Sequence, residues 1–209
     1  MKAESFFTPG EKERIEQTTK KVESQTIGEV VVMVVDQGDR YREAEILGGV
    51  LLSSLLALLL TILFFHGSLW SFVPISLLSF FIFYGLVTRI SWLKRGFISR
   101  KRTEEAVQKR ALLAFYEKGL YKTRLNTGVL FFLALLERKV WVLADRGIYE
   151  KIQQDKLNHF ALKVSQGIRQ DKACESLCQA IQEMGDLLAR HFPIVANDVD
   201  ELPNGVLTK

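Results

Sequence analysis

The chain has 209 residues, a quarter of them charged and nearly half hydrophobic, with a formal net charge of +4. That average hides a sharp partition. The excess of cations is local, flanking two uncharged stretches, and this placement argues against nucleic acid as the partner.

The first segment, "FFTPGEKERIEQTTKKVESQ", opens with a helix start: Thr8 can cap, Pro9 suits the first helical position and Glu11 completes a capping box. Ile15, Thr18, Thr19 and Val22 mark its buried face. Gly28 ends it. Val30 to Val35 is an apolar run of strand length, rich in β-branched residues, as expected of a strand buried on both faces. The chain turns polar from Asp36 to Arg42, and "REAE" begins a helix that leads into the first uncharged stretch.

Ile46–Phe65 and Leu69–Val87 contain no charged residue and are joined by His66-Gly67-Ser68. Each approaches the ~20 residues that a helix needs to cross ~30 Å of hydrocarbon. Buried core helices would keep a polar stripe, which neither run has, and the first run lies too deep in the chain for a signal peptide. Arg40 and Arg42 precede the hairpin, and Arg89, Lys94, Arg95, Arg100, Lys101 and Arg102 follow it, while the turn carries no Lys or Arg. By the positive-inside rule the expected location is the inner (plasma) membrane, multi-pass, with both termini cytoplasmic. The basic collar also suits anionic lipid, so the bilayer is the expected partner. A channel or transporter is disfavoured, because the spans bury no ionisable residue.

Beyond the collar, Thr103 with Glu104 and Glu105 reads as a helix start, and Ala106, Val107, Ala111, Ala114 and Phe115 as its apolar face, with Gly119 as the stop. Val129–Leu135 reads as a buried strand, "LERK" as a turn and Val140–Ala144 as an antiparallel return. One helical periodicity follows through Ile148, Ile152, Leu157, Phe160, Val164 and Ile168. A last helix uses Leu177, Ala180, Ile181, Met184, Leu187 and Leu188 and stops before Pro193, and "NDVDELPNG" reads as a loop. Cys174 and Cys178, four apart on one helix, have poor disulfide geometry and read as reduced thiols in or beside a core.

The order is α, β, α interrupted by the hairpin, β, β, α, α. It predicts an α/β fold: a three-layer α/β/α sandwich with a small mixed sheet, interrupted by a two-helix transmembrane hairpin. The expected divisions are 1–45 and 89–209 for the two parts of a cytoplasmic domain, and 46–88 for the hairpin.

Parallel first and second strands with an antiparallel third sort the polar residues to two sheet edges. One collects Thr26, Gly28 and Glu29 with Asn126, Thr127, Gly128, Asp145, Arg146 and Gly147. The other collects Asp36, Glu137, Arg138 and Lys139, and the hairpin leaves the chain beside it, which places it nearer the lipid. A concave polar site is therefore expected at the first edge. Glu29 and Asp145 are oxygen ligands of the kind that Ca²⁺ or Mg²⁺ prefers, Arg146 could hold a phosphate, and Gly128 and Gly147 permit close backbone approach. Asp198, Asp200 and Glu201 read as a solvated acidic tail. No nucleotide-binding loop, nucleophile elbow or zinc-protease motif is present, the three histidines are scattered, and no organic cofactor is expected.

"FTPGEKERI", "TIGEVVVMVV", "NTGVLFFLALLERKVWVLADRGI" and "GDLLARHFPIVANDVDELPN" resemble the TPM-domain family, in a membrane-anchored bacterial branch. The resemblance implies an α/β/α sandwich. Members include a plant thylakoid protein linked to photosystem II repair and reported as a weak acid phosphatase, and animal proteins that modulate receptors, and some members resemble divalent-cation binders. Asn126, Gly128, Asp145 and Gly147 match the most recognisable strand boundaries of the family, although the DRG stretch departs from the glycine-rich sequence of many soluble members. The expected function is that of a membrane-anchored protein-interaction or regulatory module, with Ca²⁺ or Mg²⁺ as a candidate ligand. The alternative is a weak metal-assisted phosphatase, with Asp145 and Arg146 as the candidate catalytic residues and Asp145 and Glu29 holding the cation.

Overall fold

The computed structural model describes residues 2–123, 125–195 and 201–208. The chain forms two compact units, one from residues 1–38 with 105–209, the other from residues 39–104.

The first unit is the α/β sandwich. Helix α1 (Pro9–Glu23) starts at the expected capping box: Glu11 N donates to Thr8 Oγ1, and Thr8 N donates to Glu11 Oε2 at 2.8 Å. Strand β1 (Glu29–Val35) is buried along its whole length. It pairs in parallel with β2 (Gly128–Ala134), and β2 pairs antiparallel with β3 (Lys139–Ala144). Alternation along the strands sends Val30, Val32 and Val34 to one face and Val31, Met33 and Val35 to the other.

The first face packs with Val129, Phe131 and Leu133 against α1, α7 (Gln154–Arg169) and α8 (Ala173–His191). The second packs with Leu130 and Phe132 against Val107, Ala111, Ala114 and Phe115 of α5 (Arg100–Glu117), whose residues from Glu105 onward belong to this unit. Helices on both faces of a central sheet make three layers.

Three local features differ from the sequence expectation. Helix α5 begins at Arg100 rather than near Thr103, because Ser99 Oγ accepts from Arg102 N at 3.2 Å and serves the first turn. The periodicity from Ile148 to Ile168 is two helices, α6 (Arg146–Tyr149) and α7, since Gln153 takes an extended conformation between them. Ile148, Ile152 and Leu157 are all fully buried, so apolar spacing does not mark the stop. The tail forms a fourth strand, β4 (Leu207–Thr208), parallel to β1, and the sheet order is β3-β2-β1-β4. Asp198 and Asp200 lie outside the described residues.

The second unit holds two helices long and apolar enough to cross a membrane, α2 (Arg42–Phe64) and α3 (Leu69–Arg89), followed by a short helix, α4 (Ser91–Gly96). At 1.5 Å per residue, the 23 residues of α2 extend about 35 Å. The two pack through small residues: Gly49, Ser53, Ala57 and Thr61 recur every fourth position on the buried side of α2. A Cβ at Gly49 would stand 3.0 Å from the Phe80 ring, so the close approach depends on glycine. The outward faces carry Leu51, Leu55, Leu59, Ile62, Leu77, Phe81 and Ile82, all exposed.

The polar base of this unit is internally paired. Lys94 Nζ donates to Glu45 Oε1 at 2.7 Å, with both side chains buried. Arg102 binds Asp39 and Glu43 and lies 5.5 Å from the centre of the Tyr41 ring. Those carboxylates raise the Arg102 pKa, Asp39 foremost. Two cations of the expected collar are thus neutralised within the protein. Arg89, Arg95, Arg100 and Lys101 are exposed side chains.

Candidate functional site

The predicted first edge is assembled at the backbone. Glu29 is in register with Gly128, and Asp145 N donates to the Gly128 carbonyl at 2.8 Å. Strand alternation places Glu29, Gly128 and Asp145 on the α5-facing side. Side chains then determine what the edge can do.

Gly128 lies between the two acids, and its missing Cβ is replaced by the protein itself. A Cβ there would fall 2.6 Å from the Leu120 carbonyl oxygen. Glu29 and Asp145 therefore sit two strand spacings apart, about 9–10 Å, with Leu120 over the glycine between them. A single Ca²⁺ holds its oxygens at about 2.3–2.6 Å, so a cation shared by both carboxylates would have to be reached past Leu120. Glu29 is buried and accepts from Glu201 N at 3.1 Å. Asp145 Oδ1 caps α6 by accepting from Arg146 N at 2.7 Å. Asp145 Oδ2 is shielded from solvent and has no hydrogen-bond partner among the described residues. No group of three or more His, Cys, Asp or Glu placed to hold a metal ion occurs among the described residues.

The other expected site residues contact the chain's own backbone or side chains. Thr127, 1% exposed, donates from Oγ1 to the Ile27 carbonyl at 2.9 Å and from its backbone N to Thr123 Oγ1 at 3.0 Å. Asn126 has a φ of 56°, a left-handed conformation that asparagine tolerates, and turns the chain into β2. A Cβ at Gly147 would fall 2.7 Å from the Asn126 carbonyl oxygen, so this glycine admits the chain's own backbone. Arg146 points outward, and its Nε donates to Glu150 Oε1 at 3.0 Å in an exposed pair.

Two features of the edge are not evident from sequence. Glu23, at the end of α1, is buried and accepts the Val30 N–H through Oε1 at 2.9 Å. Thr26 Oγ1 donates to the Phe192 carbonyl at 2.6 Å, tying the approach to β1 to the end of α8. These hydrogen bonds tie α1 and α8 to β1 at this edge. Burial raises the Tyr149 phenol above its usual pKa, and a backbone hydrogen bond at Ala144 acts in the other direction.

A concavity of about 410 Å³ opens at the other end of the sheet, beside Ala134 and Leu135 where β2 ends. Phe6, Phe7 and Ile168 contribute its apolar lining and Arg138 and Arg169 its cations. Arg138, expected there on sequence grounds, has a φ of 53° in the β2–β3 turn. Phe6, Phe7 and Arg169 carried no motif that would have singled them out.

The cysteines offer no reactive centre. Both are free and buried, and desolvation, reinforced by the neighbouring Cys178, pushes the Cys174 thiol up to about 12.

No family model matches the chain, and no curated protein matches it. Among solved structures, the NMR structure of the BA42 protein from the psychrophilic bacterium Bizionia argentinensis is similar, with a TM-score of 0.62 and 19% sequence identity over 98% of this chain and 96% of that one. At that identity the likeness concerns the fold.

Proposed function

We propose that this protein is a membrane-anchored module of the TPM-domain type, held by its α2–α3 hairpin, whose α/β unit binds a protein partner and carries out no catalysis. The observation behind the anchor is the direction in which the apolar side chains of α2 and α3 point. In a soluble core helix they would be buried, whereas here they face outward, with Trp70 at the turn 91% exposed. Outward apolar faces of this length suit the hydrocarbon of a bilayer. The exposed cations at positions 89, 95, 100 and 101, absent from the turn, favour cytoplasmic termini.

The partner reading rests on α5. Its inner side fills the core, yet Leu112, Leu113 and Tyr116 are exposed on the opposite side, and the Tyr116 and Tyr121 rings lie 5.3 Å apart. A contiguous apolar strip on an otherwise charged helix marks an interaction surface. The exposed Lys109, Lys118 and Lys122 beside it suit an amphipathic helix with an acidic rim. A photo-crosslinker at position 116 should then give a discrete adduct that Leu112→Glu abolishes, and one at Gln166 should not. Equal yields at both positions, or an adduct indifferent to Leu112→Glu, would contradict the reading.

One observation favours a divalent cation: the shielded Asp145 Oδ2. The phosphatase reading has less support, because Arg146 is engaged by Glu150 on the surface.

A further inference from the structure

We infer that the cavity where β2 ends is a binding site for a small organic carboxylate with an apolar body, independent of the partner surface on α5. In open α/β sheets, ligands favour the crevice outside the carboxyl ends of parallel strands. This cavity lies beside Ala134 and Leu135, at that end of β2. Its volume, about 410 Å³, falls within the range of small-molecule sites.

The lining has two chemically distinct parts. Phe6, Phe7, Leu135 and Ile168 provide a surface for an aryl or alkyl group. Arg138 and Arg169 provide guanidinium groups, and neither has a side-chain hydrogen bond or ion pair among the described residues. A guanidinium presents paired N–H donors matched to a carboxylate. The backbone reinforces the placement: Arg138 holds a left-handed conformation, φ 53°, that glycine would adopt without strain. The turn thus holds the Arg138 backbone at the rim of the apolar cavity.

Two acids also line the cavity, and they set its selectivity. Glu11 is occupied by the capping box, its Oε2 accepting from both Thr8 N and Thr8 Oγ1. Asp171, exposed in the α7–α8 turn, opposes a second negative charge on the ligand. A monocarboxylate therefore fits better than a dianion. The first turn of α8 opens on the same space through Ala173, which adds a favourable helix-dipole contribution.

The test is isothermal titration of the detergent-solubilised full chain with 3-phenylpropionate, against matched empty micelles. The expected result is saturable binding, weakened about tenfold or more by either Arg138→Gly or Arg169→Gln, since each removes a charge-assisted contact. Both residues are exposed, and glycine suits the backbone at 138, so the thermal midpoint should not fall in either variant. Asp171→Asn should tighten binding. Inorganic phosphate and 2-phenylethanol, which carry the charge and the apolar body separately, should each bind at least tenfold more weakly. Absence of saturable binding overturns the assignment, as do affinity indifferent to both arginines and phosphate binding as tight as that of phenylpropionate.

Discussion

Lys94 and Glu45 form an ion pair at 2.7 Å with both side chains buried, one from α4 and the other from the first turn of α2. Two charges withdrawn from water are stable only together. Lys94→Ala should therefore destabilise the hairpin unit by about 3–5 kcal/mol, whereas the double replacement Lys94→Met with Glu45→Leu should recover most of the loss. Thermal unfolding in detergent measures both. Equal damage from the single and double variants would contradict the pairing.

Thr127 is a latch between β2 and the approach to β1. Thr127→Val keeps the shape and leaves the Ile27 carbonyl without its 2.9 Å partner, at a cost of about 1–3 kcal/mol. If Thr127 instead served a ligand, stability would be unchanged and a binding function lost. Denaturant midpoints distinguish the two outcomes.

Gly128 and Gly147 receive the chain's own carbonyls, at 2.6 and 2.7 Å from where a Cβ would stand. Each Gly→Ala variant should lower stability by about 1–3 kcal/mol through overpacking. An alanine tolerated at either position would mean that the space is open to a ligand after all.

Ca²⁺ and Mg²⁺ should bind no more tightly than about millimolar, because no group of three or more acidic, His or Cys side chains placed to hold a metal occurs among the described residues. Asp145→Ala should leave any turnover of a generic phosphomonoester at background level. Micromolar Ca²⁺ affinity that vanishes in Asp145→Ala would reinstate the metal site.

The Cys174 thiol, raised from an ordinary 9.0 to about 12, stays protonated in the folded chain while the unfolded chain ionises. The unfolded state therefore binds fewer protons above about pH 9, and this residue's contribution to stability falls as pH rises from 9 towards 12. Folded protein should react slowly with thiol reagents at pH 8, and denatured protein promptly.

Much of the fold was legible because its signals are local. The Thr8–Glu11 box, the β-branched run of β1 and the uncharged hairpin each follow from a few adjacent residues. What was not legible depends on tertiary partners. Nothing in the spacing of Ile148, Ile152 and Leu157 distinguishes one helix from two. Two-residue β4 carries no periodicity, and its place beside β1 is fixed by long-range pairing. Glycines 128 and 147 signal close approach in the sequence, but the sequence does not say that the chain's own carbonyls are what approaches. The cavity eluded the sequence because Phe6, Arg138 and Ile168 are brought together by three separate elements. Arg138 was placed on the correct edge, but its left-handed turn and apolar neighbours appear only in the fold.

The central claim, that the α2–α3 hairpin crosses a membrane with both termini on the cytoplasmic side, is most directly tested at the turn. Cys174 and Cys178 are buried, so they form a quiet background for a single introduced thiol. Ser68→Cys, exposed in the turn, should be labelled by a membrane-impermeant maleimide in intact spheroplasts as fully as after lysis. Protection of this cysteine in intact spheroplasts, with labelling only after lysis, would contradict the account.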